Sequence, residues 1–317
     1  MSKKITVVVM TYNQKDYISQ ALDSILTQKG DVDFDILIHD DCSDDGTSEL
    51  IKKYQKNYPS IIRIVEEKER TFIKEGFNMM IYNHVVPLID SKYVAYLDGD
   101  DYWCDEYKLQ KQLAFMESHP DYSMCFHCAY QLKNNVDLSS KWFIADEGDV
   151  DMSFIINDNS GIKIATSSLF VKSVVFKDFP NWRKLYPVED IPLYINAVMN
   201  GKIHRLSDLM CVYRQFSTGS WSGQNKDNNQ KMIDHLGKMK TAVNYFNDQT
   251  NGVYQQLVSA QVLSFEFRIA LLKKEYKTIF LKQYRHLYKR LSKKERFSLK
   301  LQYRLPHLYN LVHRKKK

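Results

Sequence analysis

The chain has 317 residues, 44% of them apolar and 13% aromatic, enough for one large domain or two modest ones around a substantial core. Seven Pro, 11 Gly and the lack of a fixed repeat period exclude a repeat architecture and long low-complexity segments. The formal charge of +7 is unevenly spread: residues 264–317 hold 17 Lys and Arg against 3 Glu, a net of +14, so residues 1–263 carry about −7.

In chain order, "ITVVVM" (5–10) is a β-branched run of strand length. Ile18, Leu22 and Ile25 then fall at helical spacing, with Gly30 as a C-cap. "FDILI" (34–38) is a second strand. Thr47 can cap a helix whose apolar face is Leu50, Ile51 and Tyr54. "IIRIV" (61–65) is a third strand, "EGFNMMIYNHVVPLI" reads as a helix with Pro87 late in it, and "YVAYL" (93–97) is a fourth strand. Asp105 can cap the helix in "DEYKLQKQLAFMESHP". Alternating strands and helices imply right-handed crossovers and a mainly parallel sheet, which explains why the strands are apolar throughout.

Ligands of open sheets of this kind sit beyond the carboxyl ends of the strands. Three polar clusters fall there: Thr11-Tyr12-Asn13, Asp40-Asp41, and Asp98-Gly99-Asp100-Asp101. Crowded carboxylates raise one another's pKa unless a cation joins them, and hard oxygen ligands suit Mg²⁺ or Mn²⁺ completed by phosphate oxygens. The competing reading of a lone D-x-D is an acidic cap on a loop, and its place at a strand end beside a second strand-end "DD" favours the metal–diphosphate site. No G-x-x-x-x-G-K-[ST] occurs, no G-x-G-x-x-G follows the first strand, and no Asp ends that strand. These absences speak against a P-loop, a dinucleotide fold and an aspartyl-phosphate enzyme.

Five scattered cysteines suit a reducing compartment. "CFHC" lies in a strand that points Cys125 and Cys128 to opposite faces, so it does not read as a zinc site. The N-terminus holds too few apolar residues for a signal peptide, and no apolar run is long enough to span a membrane, so the expected location is cytoplasmic. In the last third, Met232, Leu236, Met239, Val243 and Phe246 mark an amphipathic helix, followed by helices over about 254–291 and on toward 305. Leu, Tyr and Phe alternate there with Lys and Arg, which suits the anionic inner face of a plasma membrane. A solvated helical bundle and a dimer helix are the competing readings. Nucleic acid is not expected as a partner, given the acidic body and the lack of a known motif.

The segments "VVVMTYNQKDYISQALDSILTQ", "FDILIHDDCSDDGT", "YVAYLDGDDYWCDEYKLQKQL" and "EDIPLYINAVMNGKIHRLSDLMCVYR" resemble family 2 glycosyltransferases of GT-A fold, similar to bacterial enzymes of surface polysaccharide and capsule assembly. The resemblance covers residues 4–223. It implies a catalytic domain over 1–223, with a nucleotide-sugar half to about 105 and an acceptor half over 106–223, followed by a basic helical region, 224–317. It implies inverting transfer of a sugar from a nucleotide diphosphate, UDP above others, to a glycan hydroxyl, with a lipid-linked acceptor suggested by the basic tail. Thr11 and Tyr12 would line the base pocket, and Asp41 would accept a hydrogen bond from the base. Asp98 would contact ribose or the metal shell, Asp100 would bind the metal, and Asp101 could share that role. Glu189-Asp190 matches the family's "ED" motif, with Asp190 as general base at a helix N-terminus and Glu189 beside it. Arg214 would face the donor diphosphate.

Trp221, and Trp182 with it, could wall the sugar site, although buried core aromatics are the commoner use. His127 and 166–172 lie where the family builds acceptor pockets. Two departures are plain: the stretch "EKERTFIKEGFN" keeps only Asn78 near the usual Asn motifs, and no His follows Arg214 in "QFSTGS". A sugar nucleotidyltransferase and a non-catalytic glycan-binding relative are the alternative functions. The first should show a Gly- and Arg/Lys-rich loop after strand one, which "TYNQKDY" is not.

Overall fold

The computed structural model describes residues 4–133, 137–143, 146–156, 164–215 and 228–305. The chain divides into two compact units, Met1–Asp227 and Asn228–Lys317.

The first unit is built on one ten-stranded sheet. Four strands, β1 (Ile5–Thr11), β2 (Phe34–Asp40), β3 (Ile62–Glu66) and β4 (Tyr93–Asp98), lie in the order β3-β2-β1-β4 and are all parallel. The short β5 (Tyr102–Trp103) follows β4 directly. Beyond β4 the sheet continues through β6 (Tyr122–Lys133), β9 (Phe170–Lys172) and β10 (Lys202–Gln215), in the order β4-β9-β6-β10-β5. Because β9 is antiparallel to both β4 and β6, and β10 is parallel to β6, the long strands β4, β6 and β10 end at the same edge. Strands β7 (Asp137–Phe143) and β8 (Gly148–Val150) pair antiparallel with β6 and β10. This mainly parallel sheet with helices on both faces is the GT-A architecture expected from the sequence.

The sheet is apolar on both sides because each side is covered. One layer joins Val7, Val9, Ile36, Ile38 and Leu97 to the helix Ile18–Leu26 and to Leu109 and Leu113. The other joins Val8, Leu37, Val94 and Phe126 to Ile81, Val85 and Leu193. β1 is wholly buried, which is why its sequence shows no polar alternation.

Several local expectations shift. Thr47 is the first residue of the helix Thr47–Asn57, not its cap; Gly46 precedes it at φ 102°, and the Asp45 carboxylate accepts from both the Thr47 amide and hydroxyl. Asp105 folds a loop turn by accepting from the Tyr107 amide, and the helix Lys108–Ser118 starts later. The helix expected around Pro87 is broken into Thr71–Glu75, Phe77–Met80 and a π-turn Ile81–Val85, followed by a 3₁₀ turn Val86–Leu88. Gly76 (φ 79°) makes the first break, and Pro87, which lacks an N–H, lies in the last turn.

One buried charge stands out beneath the sheet edge. Lys108 is fully buried, with its Nζ 2.7 Å from the Gln112 side-chain oxygen and 4.0 Å from the Trp103 ring centre. Burial pushes its ammonium down to about 7.

The second unit begins with the helices Asn229–Gln249 and Gln255–Lys273, joined by a turn containing Gly252 (φ 73°). Leu236, Met239, Val243 and Phe246 are buried, and Lys240 meets Glu266 at 3.0 Å. Lys274, in the left-handed region at φ 57°, ends the second helix. Phe267, Ala270, Ile279, Tyr284 and Leu287 then form a small core with Leu299 of the final helix, Lys293–Arg304. Among the described residues no helix is long and apolar enough to cross a membrane.

Lys108→Met removes a charge that burial holds against its solution preference. At about 1.36 kcal/mol per pH unit the penalty near pH 6 is up to about 4 kcal/mol, against roughly 1 kcal/mol for the lost bond to Gln112. The folded-state pKa lies below the unfolded one, so the penalty grows as pH falls from about 10 toward 7. Thermal melts should show the variant stabilised by several degrees at pH 6, with the gain fading by pH 10.

Candidate active site

The carboxyl edge of the sheet is laid out by three loops that hold one another. After β1, the Asn13 amide donates to the Ser43 hydroxyl (2.9 Å) and the Asn13 side chain pairs with Asp44 in both directions (2.8 and 3.0 Å). The Gln14 amide reaches the Thr47 hydroxyl (2.9 Å) and the Lys15 amide reaches Asp45 (3.0 Å). "TYNQK" is therefore zipped onto "DCSDDGT". Asn13 and Cys42 take left-handed backbone at φ 51° and 62°, uncommon for residues other than glycine and held here by these contacts.

Asp41 is almost fully buried. Its Oδ1 accepts from the Thr71 amide and hydroxyl, both at 2.7 Å, and from the Phe72 amide; its Oδ2 pairs with Arg70 Nε at 2.9 Å. The Arg70 guanidinium lies 3.3 Å from the centre of the Tyr12 ring. Tyr12, Asp41 and Arg70 thus form one flat, charged corner. Arg70 was not singled out in the sequence; its signal is a lone Arg in "EKERTF", read there as a departure from pattern. Asp40 closes its own loop, accepting from Ser43 and Ser48. Thr11 donates to Gln14 at 2.8 Å.

The Asp98–Asp101 turn is fixed from the far side of the sheet. Asp101 is fully buried: its Oδ1 accepts the Arg214 amide (2.8 Å) and its Oδ2 the Ser167 hydroxyl (2.6 Å). Thr166 donates to Asp98, and the Trp103 indole donates to the Ser167 carbonyl at 2.9 Å. Gly99 leaves room for this packing. A Cβ there would lie 2.5 Å from Gln14 Oε1 and 2.9 Å from Thr11 Cβ, so the close approach that the glycine permits is to the β1 loop.

Each Asp101 oxygen accepts a hydrogen bond from the protein, so this carboxylate acts as a strut for the turn. Arg214 is likewise turned inward. It is 6% exposed, donates to the Asp100 carbonyl and to Gln20, and lies 4.8 Å from the Tyr102 ring centre, so its guanidinium holds the acidic turn. It lies near the end of β10, beside Leu132 of β6 and two residues past the short pairing with β5, which brings it to the acidic turn.

Asp190 opens the helix Asp190–Asn200, with Oδ1 accepting from the Ile191 amide at 2.8 Å. Glu189 points the other way, into an ion pair with Arg183, a fully buried guanidinium that also donates to the carbonyls of Phe176 and Asp178. Asn78 donates to the carbonyls of Tyr186 and Val188 at 2.7 and 2.6 Å and fixes the approach to this pair. Trp182 is buried against Tyr186, and His127 is buried within β6; Trp221 lies outside the described residues.

The electrostatics draw these pieces together. Burial pushes the Asp98 carboxyl up to about 7, with the charges of Asp100 and Asp190 adding to it. Burial and the same Asp98 and Asp100 charges push Asp101 well above the usual carboxylate range. Burial raises Asp190, and raises Glu189 to about 7 despite Arg183. The hydroxyls of Tyr96 and Tyr194 both feel Asp98, Glu189 and Asp190, and the Tyr194 hydroxyl has no hydrogen-bond partner among the described residues. Asp98, Asp100 and Asp190 therefore share one negative cleft edge. No group of three or more His, Cys, Asp or Glu side chains closes on a metal position among the described residues. Mg²⁺ and Mn²⁺ completed by phosphate oxygens need only one or two protein carboxylates, and Asp98 and Asp100 are hard-oxygen donors of the kind such an ion takes.

Residues 6–177 match the profile of Glycosyl transferase family 2. The chain belongs to this family. Uncharacterized proteins of Mycobacterium bovis and Mycobacterium tuberculosis are 27% identical to this family 2 chain over 221 residues, 68% of it and 60% of theirs. The chain thus spans about 60% of the length of these relatives. A Bacillus subtilis protein named as a teichuronic acid biosynthesis glycosyltransferase, TuaG, is 34% identical over 113 residues, 35% of this chain and 41% of its own. Among solved structures, Staphylococcus aureus TarS residues 1–349 in complex with UDP-GlcNAc superposes with a TM-score of 0.59 at 18% identity, covering 93% of this chain and 78% of that one. The mannosyltransferase PcManGT of Pyrobaculum calidifontis, in complex with GDP-Man and Mn²⁺, gives 0.57 at 16% identity, covering 95% and 84%. These likenesses establish the shared fold.

Gly99→Ala should force the β1 loop and the acidic turn apart. The expected outcome is a lower melting temperature, measured by thermal shift; an unchanged value would contradict the tight packing of this turn.

Proposed function

We propose that the protein is a metal-dependent, inverting glycosyltransferase that moves a sugar from a nucleotide diphosphate to a hydroxyl of a glycan acceptor in surface polysaccharide synthesis. The single observation that carries this reading is the acidic cluster at the carboxyl end of β4, where the charges of Asp100 and Asp190 both act on Asp98.

In this reading the nucleoside base stacks in the Tyr12–Arg70 corner, whose rim is set by Thr11 and Asp41. Asp98 and Asp100 would hold the cation, Mn²⁺ or Mg²⁺, which when bound neutralises charge growing on the departing diphosphate. Asp101 and Arg214 keep the turn that carries both ligands in place. Asp190 takes the proton of the acceptor hydroxyl as the new bond forms, a contribution of about 10²- to 10⁴-fold. Its raised pKa makes it a better base than a free carboxylate, and the helix N-terminus steadies its anion. Glu189, committed to Arg183, supports the position of Asp190. Trp221 is kept as a candidate wall of the sugar site on the resemblance alone.

UDP is the favoured nucleotide, since TarS is seen with UDP-GlcNAc, while PcManGT is seen with GDP-Man. A lipid-linked acceptor at the inner face of the plasma membrane is supported by the charge of the second unit, and contact between copies through its helices is the competing use of that unit. TuaG, named for teichuronic acid synthesis, supports the polysaccharide setting.

Two outcomes test the scheme. Asp190→Asn should abolish transfer, measured by nucleotide release from a sugar donor with acceptor present, yet keep UDP binding within about twofold. Full turnover in that variant removes Asp190 from the role. Separately, a thermal-shift screen of nucleotide sugars should give stabilisation that needs Mn²⁺, vanishes with EDTA and is absent in Asp100→Asn.

A further inference from the structure

The final helix, Lys293–Arg304, has two unlike faces. Its inner face meets its own unit: Leu299 joins the small core, Gln302 accepts from the Tyr276 hydroxyl at 2.7 Å, the Arg296 carbonyl accepts from Tyr288, and the Tyr303 ring packs 5.1 Å from Phe280. Glu295, the helix's one acid, is spent on the capping box, accepting from the Ser292 amide at 2.8 Å.

The outer face has no such contacts. Phe297, Leu301 and Leu305 follow one another at i, i+4 and i+8, so they form a single stripe. Phe297 is 68% exposed and Leu305 is 49% exposed. Lys293, Lys300 and Arg304 flank the stripe on one side, Lys294 continues it three residues before Phe297, and no acidic residue shares the face. The unit to which the helix belongs holds 20 Lys and Arg against 5 Asp and Glu, a net of +15, while residues 1–227 carry −8.

We infer that this face is an interfacial anchor for an anionic lipid bilayer. A solvated bundle surface explains the cations and leaves a phenylalanine that no described residue covers facing water. A polyanion such as nucleic acid would answer the charge and leave the apolar stripe wet. A bilayer answers both: the headgroups meet the flanking Lys and Arg while Phe297 and Leu301 enter the acyl boundary. A helix this short with a narrow stripe gives reversible, composition-dependent binding, suited to an enzyme that must reach successive acceptors on a membrane. The inference rests on the proposed membrane-borne acceptor for its purpose, but on separate residues for its evidence.

The test is co-sedimentation of the full chain with vesicles of phosphatidylcholine alone or mixed with phosphatidylglycerol, at physiological salt. Binding is expected to the mixed vesicles only. Phe297→Ser should weaken it by about tenfold, and Lys300→Gln by about fivefold, at unchanged melting temperature. Three results would overturn the inference: no binding to mixed vesicles, equal binding by Phe297→Ser, or a Phe297 dependence seen in self-association by sedimentation equilibrium instead. UDP-induced stabilisation is read in the same samples. It should be the same in both variants; its absence in the unaltered protein counts against the transferase reading, whereas the vesicle result alone decides the anchor.

Discussion

The arrangement at the sheet edge depends on the burial of one carboxylate, Asp101. It is fully enclosed, and its two oxygens take up the Arg214 amide and the Ser167 hydroxyl. Those two partners come from β10 and from the turn before β9, so a single side chain ties two separate stretches of chain to the end of β4. A buried carboxyl without partners would be strongly destabilising, and with both oxygens satisfied it instead fixes a register. Asp100 is buried beside Asp101, and the half-buried Asp98 takes a hydrogen bond from Thr166.

The same logic divides the second acidic pair. Glu189 and Asp190 are neighbours in sequence but not in role. Arg183, enclosed by carbonyls and by the Phe179 ring, claims Glu189 and leaves Asp190 at the start of a helix. Asn78 fixes the two carbonyls just upstream. That residue lies in the broken helical stretch beginning at Arg70, which in turn is held by Asp41 and covers Tyr12. The base corner and the proposed general base are therefore connected through one continuous segment, 70–78, rather than through separate loops. Negative charge gathered in this way is costly by itself. Burial, with the neighbouring carboxylates adding to it, is what displaces Asp98 and Asp101 upward, and burial displaces Glu189 even with Arg183 beside it.

Much of this was legible beforehand, and particular residues show why. The four parallel strands followed from short apolar runs separated by helical periodicity, since a strand covered on both faces cannot hide its composition. The position of Asp98–Asp101 at a strand end followed as well. Arg70 did not, because a single arginine in a polar loop carries no periodic or spacing signal; only the fold sets it over Tyr12. The continuous helix expected through 75–89 failed because Gly76 and Pro87 act on the backbone more strongly than the apolar spacing around them.

Sequence by itself determined the sheet, the family, the acidic clusters and the segregation of positive charge toward the C-terminus, because each is written in local composition and order. Tertiary structure decided which carboxylate of each cluster faces inward, that Arg214 braces the acidic turn, and that Phe297 is left on an outer helix face. Those outcomes depend on partners far apart in the chain (Asp101 with Arg214, Glu189 with Arg183, Leu299 with the core beneath it), and burial, which no local pattern encodes, chooses among chemically identical side chains.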